Sequence, residues 1–351
     1  MSDVIASVRS LLRRQHIWRV VAILALLGLN LVKDPSYLSI EYSSTTGAFV
    51  GNLIDIARAA APVFMIATGM CLVIATGGID LAVGSLMAVS GATAMQYLHG
   101  ADAPTSVGAA TIAVLLALVL CAGLGGVNGF LVSVVGLQPF IATLVMMLAG
   151  RGLAKVITSG QNTSATNDPY RWITNGRVLG LPVVFFLALA IVIAVGALVR
   201  RTALGLLVES VGINAEASRL AGINRRAILV TVYVVSGLLA GVAGIFSTGS
   251  VMTVDVSQTG YQLELDAILA VVVGGTSLAG GRFSLSGAAI GAVLIATLDK
   301  TVVFLGVPAS ATPAFKSIVI VTLYLAQSKA AARWLAARRS PRPRPAQVVE
   351  A

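Results

Sequence analysis

The 351-residue chain has few of the side chains from which catalytic and metal sites are built. It holds two cysteines, two histidines and only 14 acidic residues. Cys71 and Cys121 lie in separate apolar segments without the spacing of metal ligands, which argues against a disulfide and a metal site. The phosphate loop GxxxxGK(S/T), the zinc motif HExxH and the nucleophile motif GxSxG are absent. We therefore expect no catalytic residue, metal or cofactor on this chain.

Charged residues are equally scarce, at 11% of the chain, whereas a soluble domain carries about a quarter. Apolar residues make up 57%, and 36 glycines supply the small residues that let membrane helices pack closely. This composition predicts an all-α membrane protein surrounded by lipid. The net charge of +10 does not indicate a nucleic-acid partner, because the basic residues lie at helix ends and in the tails, without interleaved aromatic residues.

The apolar runs predict about ten transmembrane helices, of which the third and ninth are the least regular and could be broken or re-entrant. They fall at 17–33, 52–76, 80–98, 107–124, 138–158, 181–199, 226–248, 264–280, 284–304 and 312–327. The chain thus divides into an N-terminal segment at 1–16, a transmembrane domain at 17–327 and a basic, Arg/Pro-rich tail at 328–351, which we expect to be disordered.

Basic residues predict the orientation of these helices. With the N-terminus in the cytosol, 16 of the 24 lysines and arginines fall on the cytosolic side. Cytosolic loops of membrane proteins carry such an excess. We therefore expect both termini in the cytosol, together with the polar loop at 200–225.

Two glycine-rich breaks interrupt the apolar runs, and each predicts a tight turn between two helices. The first contains Gly77, Gly78, Asp80 and Gly84, and the second contains Gly274, Gly275, Gly280 and Gly281. The glycines at 77, 78 and 84 align with those at 274, 275 and 281, as in an internal repeat. Composition alone could produce this match. Asp80, and Ser277 in the second break, are predicted to cap the helix that follows.

The loop at 200–224 is the longest charged segment of an otherwise apolar chain. Its pattern predicts an amphipathic helix in two pieces, broken near Gly212 and near Gly222. Such a helix can lie on the membrane or dock into a groove of a soluble partner, and the residues alone do not decide between the two.

Four motifs, in the same order along the chain, resemble those of permease subunits of bacterial ABC importers for sugars of the ribose and galactofuranose type. They are Gly77-Gly-Ile-Asp-Leu-Ala-Val-Gly-Ser85, Gln138-Pro-Phe-Ile-Ala-Thr-Leu144 with Ala149-Gly-Arg-Gly152, Val211-Gly-Ile-Asn-Ala-Glu-Ala-Ser-Arg-Leu-Ala-Gly-Ile223, and Glu264-Leu-Asp-Ala-Ile-Leu-Ala with Leu278-Ala-Gly-Gly-Arg282. Within this group the chain looks most similar to the galactofuranose permease.

The resemblance implies a multi-pass permease of the bacterial cytoplasmic (inner) membrane that has no enzyme activity of its own. A separate cytosolic ABC ATPase would bind ATP and Mg, an extracytoplasmic sugar-binding protein would deliver the sugar, and a second permease subunit, identical or different, would complete the path. The expected cargo is galactofuranose or a related hexose or pentose. The residues expected to contact the ATPase are Gly205, Glu209, Gly212, Asn214, Glu216, Arg219 and Gly222.

Candidate residues for the sugar path are polar groups within or beside predicted spans. They are Asn128, Gln138, Thr143, Arg151 and Thr276, with Arg151 a candidate for gating. Each of the uncharged four can equally be a packed side chain bonded to backbone. Two other functions stay open: a permease for another small polar solute, such as a polyol or an autoinducer, and an ion-coupled secondary transporter. The second requires a mid-membrane carboxylate relay, and the sequence lacks one.

Overall fold

The computed structural model describes residues 15–44 and 47–327, which form a predominantly helical bundle. The predicted tail at 328–351 and nearly all of the predicted N-terminal segment at 1–16 lie outside these residues. The helices are α1 Gln15–Lys33, α2 Asn52–Ala75, α3 Val83–Ala101, α4 Val107–Phe130, α5 Pro139–Ile157, α6 Asp168–Asn175, α7 Val183–Arg201, α8 Leu204–Ile213, α9 Ala215–Leu220, α10 Arg225–Val251, α11 Leu263–Val273, α12 Leu285–Leu305 and α13 Thr312–Gln327.

Short antiparallel pairs connect the helices at one end of the bundle. The strands are β1 Glu41–Ser43, β2 Ala48–Val50, β3 Thr163–Ser164, β4 Arg177–Val178, β5 Leu181–Pro182 and β6 Thr253–Val254. β1 pairs with β2, β3 with β6, and β4 with β5. The connections between predicted spans at 34–51 and 159–180 therefore contain a hairpin and the helix α6, respectively.

Six helices of the described chain are long and apolar enough to cross a membrane. They are α2, α4 with its π-helical extension Leu131–Val135, α5, α7, α10 and α12. Large apolar side chains on the outside of α4, α5 and α7, such as Val119, Leu148 and Ile193, face away from the protein, as lipid contact requires. The fold is thus that of a helical membrane protein, while the count of ten spans stays a prediction.

The eighth predicted span, 264–280, is not one continuous helix. Its helical part, α11, has 11 residues and a length of roughly 16 Å, about half the hydrocarbon thickness. Turns at 255–262 precede it, and the glycine-rich break follows it. The third and ninth spans, expected to be the least regular, correspond to the unbroken helices α3 and α12.

The helix α10 forms the centre of the bundle and packs against α2, α3 and α4. On α4, Gly125 lies so close to α10 that a Cβ there would stand 3.2 Å from the Cα of Gly237. α10 follows α9 in the chain and reaches α6 near its own C-terminus, through Thr248. Its 27 residues span roughly 40 Å, so α8 and α9 lie at one end of the bundle and α6 at the other.

Candidate functional site

The two glycine-rich breaks end their helices in the same way. A glycine with positive φ stands two residues beyond the last helical residue, Gly77 (φ 81°) after α2 and Gly275 (φ 85°) after α11. The N–H of each glycine donates three residues back, at 2.9 and 2.8 Å, and the following N–H donates five residues back, at 3.1 and 3.2 Å. Gly275, and not Gly274, is therefore the structural counterpart of Gly77. The two turns share this helix-ending geometry, but the predicted alignment of Gly77 with Gly274 is not the structural one, and the internal repeat itself stays a prediction.

The two turns contact each other although about two hundred residues separate them. The N–H of Gly281 donates to the carbonyl of Ala75 at 2.9 Å. A Cβ on Gly280 would lie 2.9 Å from the backbone nitrogen of Gly77. The absence of side chains at these glycines lets the two backbones meet, so the end of α2 and the second turn form one joint.

The helix α8 packs directly onto this joint. A Cβ on Gly212 would stand 2.5 Å from the nitrogen of Gly281 and would overlap the carbonyl oxygen of Ala75. Likewise, a Cβ on Gly281 would lie 2.5 Å from the side chain of Ile213. We call the contact between these two turns and Gly212 the turn junction. It brings together one residue predicted to contact an ATPase and several predicted to break helices.

A cavity of about 650 Å³ opens beside the turn junction. Glu209 and Gly212 line it from α8, and Gly280, Gly281 and Arg282 line it from the second turn. The cavity therefore has one acidic and one basic side chain at its wall. A polar, open recess of this kind is suited to a side chain of a soluble partner.

The break in the loop helix occurs at Asn214, two residues beyond the predicted Gly212. Asn214 is extended (φ −156°), and its Oδ1 accepts the N–H groups of Glu216 at 3.1 Å and Ala217 at 2.9 Å. Asparagine favours this position because its side chain satisfies N–H groups that the first helical turn leaves free. Gly212 lies within α8, where the absence of a side chain allows close packing and the flexibility of glycine is not needed.

The short helix α9 carries an exposed ion pair and ends on a glycine. Arg219 bonds Glu216 at 2.5 Å, and this hydrogen bond and positive charge hold the pKa of Glu216 below its usual value. Gly222 (φ 82°) ends the segment as predicted, whereas Gly205 lies buried at the start of α8, where a Cβ would stand 2.5 Å from the carbonyl of Val199. The seven predicted coupling residues thus form one continuous two-helix segment.

Asp80 does not cap α3, contrary to the prediction. Its carboxylate is wholly buried, accepting the hydroxyl of Ser236 at 2.7 Å and the N–H of Ala82 at 3.0 Å. Ser277 is likewise not a cap, because the N–H of Gly287 in α12 is bonded by Ser284. Asp80 instead ties the first turn to α10. No sequence pattern indicated this bond, since a serine within an apolar helix is common and usually bonds its own backbone.

Two of the path candidates bond to the turns. The hydroxyl of Thr143 donates to the carbonyl of Ile79 in the first turn at 3.0 Å. The hydroxyl of Thr276 accepts the N–H of Ser284 in the second turn at 3.2 Å. Both threonines are buried, so the alternative of a packed side chain bonded to backbone describes them well.

The other path candidates lie in separate surroundings. Arg151 donates to the carbonyls of Thr259 at 2.5 Å and Val256 at 3.4 Å, in the segment that leads into α11. Asn128 is fully buried on α4, and Gln138 is exposed at the start of α5. In this segment before α11, Gly260 packs against Gly84, leaving no room for a Cβ on either; Gly84 was predicted to lie in the first break but lies within α3. The role of all five candidates in sugar passage stays a prediction.

Residues 52–326 match the family described as branched-chain amino acid transport system / permease component. The chain belongs to this permease family. The match begins at the first residue of α2 and ends within α13, so it includes the turn junction and the two-helix segment.

Three curated relatives of this permease are similar over nearly their whole length. The fructose import permease of Bifidobacterium longum is 51% identical over 92% of this chain and 90% of its own. The galactofuranose transporter permease of Escherichia coli is 40% identical, over 89% of each chain. The ribose import permease of Escherichia coli is 38% identical over 88% of this chain and 92% of its own. No solved structure shows significant similarity.

These relatives confirm the family that the four motifs indicated. The permease is a transport subunit and not an enzyme, and it is an inner-membrane protein. The chain is similar to the galactofuranose permease as expected, but the expectation that it is most similar to that permease was wrong, because identity to the fructose import permease is higher. The motifs therefore identify the type of permease without identifying its cargo.

Proposed function

We propose that this permease forms the membrane path of an importer that moves a monosaccharide at the expense of ATP hydrolysed by a separate chain. That chain is a cytosolic ABC ATPase, which binds ATP and Mg, and an extracytoplasmic sugar-binding protein supplies the cargo. The observation that supports this proposal is the turn junction, where α8 contacts the end of the membrane-spanning helix α2 and the second turn at once.

The exposed face of α8 and α9 is suited to dock in a groove of the ATPase. Leu206, Ile213 and Leu220 are exposed by 70%, 73% and 75%. Large apolar side chains presented by an amphipathic helix are the usual anchors of helix-in-groove recognition. The polar groups of Asn214 and of the Glu216–Arg219 pair would form the rim of this contact.

Movement of α8 would pass to the transmembrane helices through backbone contact. At Gly212 no flexible side chain separates α8 from the carbonyl of Ala75 or from the nitrogen of Gly281. Close-packed interfaces have low compressibility and transmit displacement. A push on α8 therefore displaces the end of α2 and the second turn together, and α12 follows because it continues from the second turn.

The cargo we propose is a hexose or pentose that forms a five-membered furanose ring. The relatives are named for fructose, galactofuranose and ribose, and each of these sugars forms such a ring. Fructose and galactofuranose are the first candidates. Selection would occur mainly in the binding protein, because a path that held the sugar tightly would not release it. A second permease subunit, identical or different, would complete the path.

Uptake into vesicles tests the proposal. The permease is reconstituted with its cognate ATPase and binding protein, and radiolabelled fructose, galactofuranose, ribose, a polyol and an autoinducer are compared. We expect uptake of a furanose-forming sugar only when ATP is present on the ATPase side. Uptake driven by a proton or sodium gradient without ATP would support the secondary-transporter alternative instead. Uptake of the polyol or autoinducer alone would overturn the choice of cargo.

A further inference from the structure

Asp80, in the first glycine-rich turn, has no positively charged partner. Its carboxylate is fully buried and accepts two hydrogen bonds, from the hydroxyl of Ser236 at 2.7 Å and from the N–H of Ala82 at 3.0 Å. The ion pairs among the described residues all involve other carboxylates. A buried carboxylate without a positive charge is costly, and two neutral donors offset only part of that cost. A proton or a cation is therefore needed at Asp80.

A tyrosine hydroxyl beside this turn also lacks a hydrogen-bond partner in the described part of the chain. Tyr233 is fully buried and lies one turn before Ser236 on α10. Its hydroxyl oxygen would stand 2.9 Å from a Cβ on Gly78, so it points at the turn that carries Asp80. It is close enough to the Asp80 carboxylate to interact with its charge. Buried hydroxyl groups in native proteins are nearly always bonded, so a further atom is expected here.

A buried asparagine on α4 adjoins the same tyrosine. Asn128 is fully buried, and neither its Oδ1 nor its Nδ2 has a hydrogen-bond partner within residues 15–44 and 47–327. It lies between two glycines that pack against α10. A Cβ on Gly125 would overlap the carbonyl oxygen of Tyr233, and a Cβ on Gly129 would stand 3.3 Å from the Cβ of Tyr233. Asn128 therefore lies on the face of α4 that meets Tyr233.

The packing of α3 against α4 brings Asn128 level with Asp80. The thiol of Cys121 on α4 donates to the carbonyl of Leu86 on α3 at 3.3 Å. The two helices are joined by a short connection and run in opposite directions. Two turns after Cys121 therefore corresponds to a similar distance before Leu86, which is the position of Asp80. We call the side chains of Asp80, Asn128, Tyr233 and Ser236 the Asp80 cluster.

We propose that the Asp80 cluster binds one sodium ion. Its carboxylate, amide and hydroxyl oxygens are hard ligands, which suit a hard cation and not a transition metal. One carboxylate matches one positive charge, whereas a divalent ion would leave a net charge buried. Unwound backbone beside a helix end, such as the first turn after α2, is where membrane transporters coordinate sodium. A water molecule that completes the shell would accept the N–H of the asparagine amide.

The sequence predicted no metal on this chain, because the ligands and spacings of transition-metal sites are absent. The structure agrees for such metals, since the described residues contain no group of three or more His, Cys, Asp or Glu side chains that could hold one. A sodium site needs neither thiolate nor imidazole. The ion would join the first turn to α4 and α10 without crossing the membrane, so it is independent of the proposed source of energy for transport.

Sodium binding to the permease–ATPase complex in nanodiscs tests the site. Bound radioactive sodium and Tm are measured while choline chloride replaces sodium chloride, which keeps ionic strength constant. Asp80→Asn removes the charge and keeps the size of the side chain, and Tyr233→Phe removes only the hydroxyl. Asn30→Leu is the matched control, because Asn30 is also a fully buried asparagine but lies on α1, where it bonds Thr301 of α12.

We expect wild type to bind one sodium ion per permease saturably and to gain at least about 3 °C in Tm at saturating sodium. Asp80→Asn should abolish both effects. Tyr233→Phe should weaken sodium affinity about tenfold or more, as loss of a group that supports a metal site does. The control should have a lower Tm in both salts and keep the full gain from sodium.

Absence of saturable sodium binding to wild type would overturn the proposed site, and so would equal binding by Asp80→Asn. A Tm that depends on pH through Asp80, and is equal in sodium and in choline, would also overturn it, because a proton would then neutralise the carboxylate. A gain in Tm from sodium that Asp80→Asn retains would place the ion elsewhere in the complex. None of these results alters the proposed function, which the uptake experiment tests.

Discussion

Replacing Gly212 by alanine adds one methyl group at the turn junction, the contact between α8 and the two glycine-rich turns. The new Cβ would stand 2.5 Å from the nitrogen of Gly281 and would overlap the carbonyl oxygen of Ala75. Both neighbours are backbone atoms, which cannot turn aside as the end of a flexible side chain can. Either α8 moves away from the turns, or the turns move apart from each other.

Two opposing contributions set the size of the effect. Alanine favours the helical state over glycine by about 1 kcal/mol, which would strengthen α8 itself. Overpacking in a close-packed region costs about 1–3 kcal/mol. Loss of the bond between the Gly281 N–H and the Ala75 carbonyl, now 2.9 Å long, adds about 0.5–1.5 kcal/mol. The unfavourable contributions exceed the favourable one, so we expect α8 to separate from the junction.

Sugar-stimulated ATP hydrolysis measures the consequence. A net cost of about 1.4 kcal/mol on the coupled state corresponds to a tenfold change in its population. We therefore expect Gly212→Ala to lower stimulation by sugar-loaded binding protein about tenfold while basal hydrolysis and assembly with the ATPase persist. Gly123→Ala on α4 is the matched control, because a Cβ there meets nothing within 4 Å. Full stimulation by an assembled Gly212→Ala complex would refute the reasoning.

Three further predictions concern single polar contacts. Ser236→Ala removes the hydroxyl that donates to the buried Asp80 carboxylate at 2.7 Å, so the permease should lose about 1–3 kcal/mol of stability, seen as a lower Tm, and an unchanged Tm would contradict this. Asn214→Ala removes two N-cap bonds and should cost α9 about 1 kcal/mol, weakening ATPase binding, while Asn214→Asp should restore it. The pKa of Glu216 is lowered by its bond to Arg219, so the pair's contribution is present above the ordinary carboxyl pKa and is lost only as pH falls through the lowered value. When ATPase affinity is measured from neutral to acid pH, we expect the contribution of this pair to disappear only in that acid range. In Glu216→Gln this contribution should be absent throughout.

The two glycine-rich turns were predictable from the sequence, but the contact between them was not. Glycine clusters such as Gly77-Gly78 and Gly274-Gly275 mark positions where a helix must end, which is a local property. The contact of Gly281 with Ala75 joins residues about two hundred positions apart, and nothing in either segment specifies the other. The second turn, 274–284, is also longer than the first, 76–82, so an alignment at constant offset paired Gly77 with Gly274 and not with Gly275.

The predictions for the site residues likewise succeeded where local residue chemistry decides and failed where packing between distant segments decides. The helix break at Asn214 and the end at Gly222 follow from residue chemistry and lie within two residues of their predicted places. The bond between Asp80 and Ser236 depends on how α10 packs, so the prediction of a local cap was wrong. The segment at 264–280 is helical over only part of its predicted length, which apolarity could not reveal because it is the same in a half-length helix as in a full one. The four motifs identified the family and left the sugar open.

Thiol labelling of Leu220→Cys tests most directly the claim that α8 and α9 form the cytosolic coupling segment. Leu220 is exposed, whereas the two native cysteines are buried, so the introduced thiol should react alone. With a membrane-impermeant maleimide, we predict labelling only in inside-out vesicles and protection when the ATPase is bound. Labelling from the outside of intact cells would contradict the account.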